Sequence, residues 1–333
     1  MTDAKRLQAP LGQGRALALW QRQARKLAMP HATIIEGGRG SGKSTVIRWL
    51  TAALLCPSDL DDDGPCGVCR TCARIAADRH PDVHVLDRAH DERDRKDNDK
   101  SFYVIKVDQV RNAQDALARH AVEGRARVLV IADADCTEEG AQNALLKTLE
   151  EPGVDTFLLL EATRPERLVE TVRSRAQRLR VLPLPEATIR RELARILGHD
   201  HGLDRAVRLA AGSLGQALAA TTEHAVQLHD LVQGMLASAK ALRPIVTARA
   251  VLEGQKERRS ELEAARRFLW LLRAELRARA HALAEAGGAV YGARQTEPWT
   301  TWLELALAAE QDLDAMIPPE QVLAACLLAF ESR

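Results

Sequence analysis

The sequence predicts an α/β phosphate-loop domain, a parallel sheet with flanking helices, carrying an inserted cysteine knuckle and followed by two smaller helical domains. Three observations predict it. A complete G-x-x-x-x-G-K-[ST] loop runs from Gly37 through Ser44. Cys56, Cys66, Cys69 and Cys72 follow it with the spacing C-x9-C-x2-C-x2-C. Strand and helix signals alternate up to Leu182-Pro183-Leu184-Pro185, and only helical periodicity follows.

Apolar runs predict strands at 33–36, 83–86, 103–106, 128–132 and 157–162, with helices between them. Intervening helices demand crossovers, and crossovers imply a parallel sheet. The first strand feeds the glycine-rich loop, and Val46-Ile47-Arg48-Trp49-Leu50 opens a helix behind it. Gly37, Gly40 and Gly42 let backbone N–H groups turn inward on a phosphate, and the helix N-terminus adds its positive dipole end. Lys43 is placed to reach β- and γ-phosphates, Ser44 to hold Mg²⁺, and Thr45 to continue the cradle. The rival is a glycine-rich turn that only mimics the motif; strand before and helix after favour a nucleotide, ATP or ADP with Mg²⁺.

The cysteines suit structural Zn²⁺. Two successive C-x2-C steps present three thiolates on a tight knuckle, and Cys56 supplies the fourth from the preceding helix end. Gly64, Pro65 and Gly67 provide turns. Four cysteine ligands leave no open position for catalysis. Disulfides or metal-free thiols are the rivals; no signal peptide is evident, so a reducing cytoplasm is expected, where disulfides are rare. Cys136 and Cys326 stand alone and read as buried small hydrophobes.

The expected boundaries are 1–182 for the nucleotide domain, with its knuckle at about 56–72, then 183–222 for a small helical lid and 223–333 for a helical oligomerisation collar. The clearest helix of the last part is 262–285, and Pro318-Pro319 starts another. Apolar residues make up 46% of the chain, enough for several cores, while charges nearly cancel to +1. That balance, with aromatics at 3%, disfavours an isolated nucleic-acid-binding module. No apolar run approaches the ~20 residues of a membrane span. The mixed-charge stretch 87–100 reads as a solvated loop.

Several motifs together resemble the subunits of the bacterial replicative clamp loader, an AAA+ family. Gln13, then His31-Ala32 before the phosphate loop, matches its N-terminal pattern. The knuckle sits at the family's insertion point, and His80-Pro81-Asp82 is similar to the segment after it. The run AQNALLKTLEEP at 141–152 is nearly a verbatim match to the family's most recognisable helix, and Ser174-Arg175-Ala176 is similar to its Ser-Arg-Cys motif.

The resemblance implies a ring of five subunits, including gamma/tau and delta, that loads the sliding clamp onto primed DNA. It also implies a collar in the C-terminal helices, a polar sensor at Thr163, which could equally cap its strand, and an arginine finger at Arg175 acting on a neighbour's ATP. An ordinary surface ion pair is the rival for Arg175. A hydrolysing subunit needs an adjacent Asp-Glu pair. Counting back from Asn143 puts that pair on Ala132 and Asp133, and a shift of one puts it on Asp133 and Ala134. Asp133 and Asp135 could share the work, but on a persisting strand they would face opposite sides. Gly215, in Gly212-Ser213-Leu214-Gly215, replaces the motor subunits' arginine, and the length of 333 residues leaves no room for a tau-like tail. The expectation is a delta-prime-type subunit with an intact phosphate loop and little ATPase activity of its own; a gamma/tau-type motor is the alternative.

Overall fold

The computed structural model describes residues 7–58, 64–87, 104–118, 121–198, 202–237, 243–255, 257–286, 297–315 and 317–331. The charged stretch after Asp87, and Tyr103, lie outside them. The chain forms two compact units, Met1–Pro185 and Glu186–Arg333.

In the first unit, α1 (Gly14–Arg25) precedes β1 (Ala32–Glu36), which leads through the glycine loop into α2 (Lys43–Leu55). Then come α3 (Arg70–Ala76), β2 (Val83–Leu86), α4 (Val107–Leu117), β3 (Arg127–Ile131), α5 (Glu139–Glu150), β4 (Thr156–Ala162), α6 (Glu170–Arg173) and β5 (Gln177–Arg180). The five strands lie in the order β2-β3-β4-β1-β5, all parallel. Alternate residues of each strand serve opposite faces. Ile35, Val128, Val130, Phe157, Leu159 and Leu179 pack with α1, α2 and α3. Ile34, Leu129, Ile131, Leu158 and Leu160 pack with α4 and α5. Burial on both faces explains why the central strands read as continuous apolar runs.

Two strand expectations change. Of the expected strand 103–106, the described residues 104–106 form no strand: Ile105 makes one isolated parallel bridge to Thr137, and Lys106 caps α4. Ile105 is fully buried, so its apolar signal reported burial and not pairing. The edge strand β5 carries a single apolar residue, Leu179, in Gln-Arg-Leu-Arg, too little pattern to reveal a strand.

The second unit is helical throughout its described residues: α7 (Glu186–Leu197), α8 (Leu203–Ala210), α9 (Leu214–Ala220), α10 (Glu223–Ala237), α11 (Pro244–Leu252), α12 (Arg258–Ala286), α13 (Glu297–Asp314) and α14 (Pro319–Glu331). Ser213 caps α9 by accepting from the Gln216 N–H at 3.0 Å. Pro244 and Pro319 occupy first turns, where a missing N–H costs nothing. Phe268, Leu269, Leu272 and Leu276 of α12 are fully buried. The contacts place α7–α9 in one unit with α10–α14, α8 packing on α12. No helix among the described residues is long and apolar enough to cross a membrane.

Candidate nucleotide and metal sites

The phosphate loop hangs between β1 and α2. Gly40 and Gly42 take φ of 70° and 96°, left-handed conformations that glycine adopts without strain. A side chain on Gly37 would meet Ser41 Oγ at 2.8 Å and the Val181 carbonyl at 3.0 Å. Lys43 is buried, and its Nζ donates to the Gly37 and Gly38 carbonyls, both at 3.0 Å, and to Thr163 Oγ1 at 3.1 Å. Thr163 follows β4 and so faces the loop lysine directly. Ser44 opens α2 on the exposed side, with Thr45 half-buried beside it.

Acidic groups surround this lysine. Glu161 Oε1 lies 3.8 Å from Lys43 Nζ, and Oε2 accepts from Ser44 Oγ at 3.0 Å. Burial lowers the Lys43 pKa, and Glu161, Asp135 and Asp133 partly offset that. Burial raises the Glu161 carboxyl above its usual range, against the pull of Lys43 and Ser44. Asp133 and Asp135 do not alternate on a strand. β3 ends at Ile131, Asp133 turns left-handed with φ 52°, and Ala134–Cys136 coils as a 3₁₀ turn. Both carboxylates therefore act on Lys43. Asp135 is buried; its Oδ2 accepts from the Arg164 N–H at 2.8 Å, while its Oδ1 has no hydrogen-bond partner among the described residues. Cys136, expected in the core, is half-buried at the end of this turn, whereas Cys326 is buried.

Sequence reasoning did not single out Glu161. The signal was there: a lone carboxylate inside Phe-Leu-Leu-Leu-Glu-Ala, two residues after Leu159 and therefore on the α2 face.

The four knuckle sulfurs converge. Cys56 ends α2, Cys69 caps α3, and Cys72 lies in its first turn. All four Sγ atoms lie within 4.8 Å of one another. Cys56–Cys66, Cys56–Cys69 and Cys66–Cys72 stand 3.7, 3.8 and 3.9 Å apart. A tetrahedron with metal–sulfur bonds of ~2.3 Å has edges of about 3.8 Å, so the set fits a tetrahedral thiolate-binding ion. Backbone N–H groups of Cys69 and Cys72 donate to Cys66 Sγ and Cys69 Sγ at 3.3 and 3.4 Å. Burial works to raise the Cys66 pKa, but the N–H donors of Val68 and Cys69 outweigh it and bring the thiol to about 7. Burial pushes the Cys72 thiol up, so an arriving cation must displace its proton. Gly67 holds the turn at φ 72° and accepts from the Leu7 N–H.

Arg175, just past α6, is exposed. It donates to the Thr171 carbonyl at 3.1 Å and pairs with Glu150 at 2.7 Å, their side chains 38% and 52% exposed. His80 and Asp82 are buried; Asp82 accepts from the N–H groups of Val122, Glu123 and Gly124, tying the head of β2 to the approach to β3.

A parallel sheet whose first strand turns through G-x-x-x-x-G-K-S into a helix puts the first unit in the P-loop class of α/β proteins. Within that class, the chain belongs to the family described as DNA polymerase III, delta subunit, whose sequence profile matches residues 12–185, more than half of the chain. It is 37% identical over 190 residues to DNA polymerase III subunit delta' of Escherichia coli K12, covering 57% of this chain and 54% of that one. It is 31% identical over 177 residues to the delta' subunit of Bacillus subtilis 168, covering 53% and 50%. With DNA polymerase III subunit tau of E. coli K12 the identity is 32% over 199 residues, 58% of this chain and 29% of that one. The chain thus spans about half the length of the delta' relatives it matches. A gamma-subunit-related protein of Thermotoga maritima superposes with a TM-score of 0.48 at 16% identity, covering 94% of this chain and 99% of that one.

Proposed function

We propose that this chain is a delta-prime-type subunit of a DNA polymerase III clamp loader. It works in the cytoplasm with gamma/tau and delta subunits, in a ring of five that places the sliding clamp on primed DNA. The observation that carries this is the delta-subunit family match across residues 12–185, which include the phosphate loop and all five strands. In this reading Gly37, Gly40, Gly42, Lys43, Ser44, Thr45, Asp133 and Thr163 hold ATP or ADP with Mg²⁺. Cys56, Cys66, Cys69 and Cys72 hold a Zn²⁺ that folds the knuckle. Residues 183–222 act as lid and 223–333 as collar. Arg175 serves the ATP site of a neighbouring subunit, an assignment its exposure supports.

Hydrolysis by the chain itself is weak, because Ala132 removes one acid of the required pair and Gly215 a cation. One observation favours a second reading, a gamma/tau-type motor: Lys43 donates to Thr163 and feels the Asp133 carboxylate, so polar groups of a working phosphate loop remain in place. Two measurements separate the readings. Native mass spectrometry after mixing with gamma/tau and delta is expected to give one copy of this chain per five-membered assembly. The purified chain is expected to bind nucleotide without sustained turnover; turnover at motor rates, abolished by Lys43→Ala, establishes the motor instead.

A further inference from the structure

β4 lies between β1, which leads into the phosphate loop, and β3, whose end supplies the acids in a hydrolysing subunit. β3 and β4 pair Val130 with Leu159 and Ile131 with Leu160, so one step further Ala132 stands level with Glu161. β4 and β1 pair Glu161 with Ile35, just before the glycine loop. Val130, Leu159 and Ile35 all face α2, and by alternation so do Ala132 and Glu161. The methyl group of Ala132 leaves the space beside β4 open. Glu161 reaches across it to Ser44, the residue whose hydroxyl serves a divalent cation in this loop type.

A second feature marks the same place. Ser44, Ala132 and Glu161 line a cavity of about 140 Å³, large enough for several waters. Thr51 and His80 line it too, and Thr51 Oγ1 and His80 Nε2 are buried with no hydrogen-bond partner among the described residues. Thr51 and His80 stand at the far end of this cavity, which runs back along α2 past Ile47 and Val130; its near end leaves room for water beside the Ser44–Glu161 contact.

We propose that Glu161 is the carboxylate of the divalent-cation subsite in this phosphate loop, placed on β4 where Ala132 has removed it from β3. The proposal rests on the nucleotide-binding reading above. Glu161 accepts from Ser44 and holds water of the cation shell, while Lys43 beside it takes the phosphate. The relocated acid supports binding. It does not restore the missing Asp-Glu pair, so the chain retains Mg²⁺–nucleotide without gaining a base for water attack.

The test titrates the full-length chain with a fluorescent N-methylanthraniloyl ADP, once with Mg²⁺ and once with EDTA. Glu161→Gln is expected to weaken binding in Mg²⁺ about 10- to 100-fold, the range for losing a supporting carboxylate at a metal site. Binding in EDTA is expected to stay unchanged or tighten, because one negative charge has left the surroundings of the phosphates. Adding Ala132→Asp to Glu161→Gln is expected to recover Mg²⁺ dependence, since the carboxylate returns from β3. Glu161→Asp keeps the charge opposite Lys43, so it serves if the Gln variant fails to fold; its shorter reach is expected to give an intermediate loss. A Mg²⁺ effect that survives Glu161→Gln undiminished, or an equal change in both conditions, overturns the assignment while leaving nucleotide binding standing. If the wild-type chain binds in neither condition, and Lys43→Ala changes nothing, the nucleotide reading fails and this assignment with it.

Discussion

Arg175 and Asp82 show how the same kind of polar contact carries different weight at different depths. The Arg175–Glu150 pair is solvated, and such pairs contribute about 0–1 kcal/mol. Arg175→Ala should therefore leave thermal unfolding of the chain nearly unchanged. In the reconstituted assembly it should slow clamp- and DNA-stimulated ATPase, and Arg175→Lys should rescue little, because an ammonium cannot grip two phosphate oxygens at once. Normal clamp loading by the Ala variant would remove the finger. Asp82 is the opposite case. It is buried, and although burial disfavours its charge, three backbone N–H donors outweigh that and hold its pKa below the ordinary value. A depressed carboxylate contributes stability that is present above its unfolded pKa of about 3.9 and is lost as pH falls through the folded value. His80, kept low by burial, adds a loss of the same sign below about pH 6.5. Asp82→Ala should cost about 2–3 kcal/mol at neutral pH by removing three hydrogen bonds to a charged acceptor. The gap between wild type and variant should close as urea melts are repeated below pH 4; a gap independent of pH contradicts the account.

At the scale of elements, the knuckle joins the apolar core, to which Cys56 and Cys72 belong, to a set of four convergent sulfurs. Between Cys56 and Arg70 the described chain has turns and no regular element. Two of its sulfurs are set by helix ends, Cys56 as the C-cap of α2 and Cys69 as the N-cap of α3. Zinc binding at such sites is coupled to local folding. Reduced, freshly purified protein should contain about one equivalent of Zn²⁺, and Cys69→Ser should lower that content. Chelation should raise hydrogen exchange at 64–73 while β3 and β4, buried on both faces, keep their protection. Less than a tenth of an equivalent of zinc, or exchange that is uniform after chelation, argues against a structural ion.

On the scale of the whole molecule, the two units differ in architecture. The first buries a parallel sheet on both faces and can hold a rigid loop at the strand ends. The second, Ala/Leu/Arg/Glu-rich, offers only helices among its described residues. Separating them between Leu184 and Glu186 should yield an N-terminal fragment that still binds zinc and nucleotide but no longer co-purifies with gamma/tau and delta, if assembly runs through the collar. Retained assembly by that fragment would move the interface to the first unit.

Patterns local in the chain were legible without coordinates: the glycine loop between a strand and a helix, the cysteine spacing, four of the five strands, and helix α12, expected over 262–285 and found at Arg258–Ala286. Each depends on spacing within a few residues, and spacing is what periodicity records. Tertiary structure decided the rest. Ile105 is buried without being in a strand, and β5 is a strand with almost no apolar pattern, because burial and pairing there come from distant partners. Asp133 and Asp135 both act on Lys43 because the chain leaves β3 at Ile131 and coils. Glu161 stands 117 residues from Ser44 in the chain yet bonds to it, because the sheet order sets β4 between β1 and β3. A linear pattern cannot state which strands are neighbours, and that adjacency is what gathers the acids around the phosphate-loop lysine.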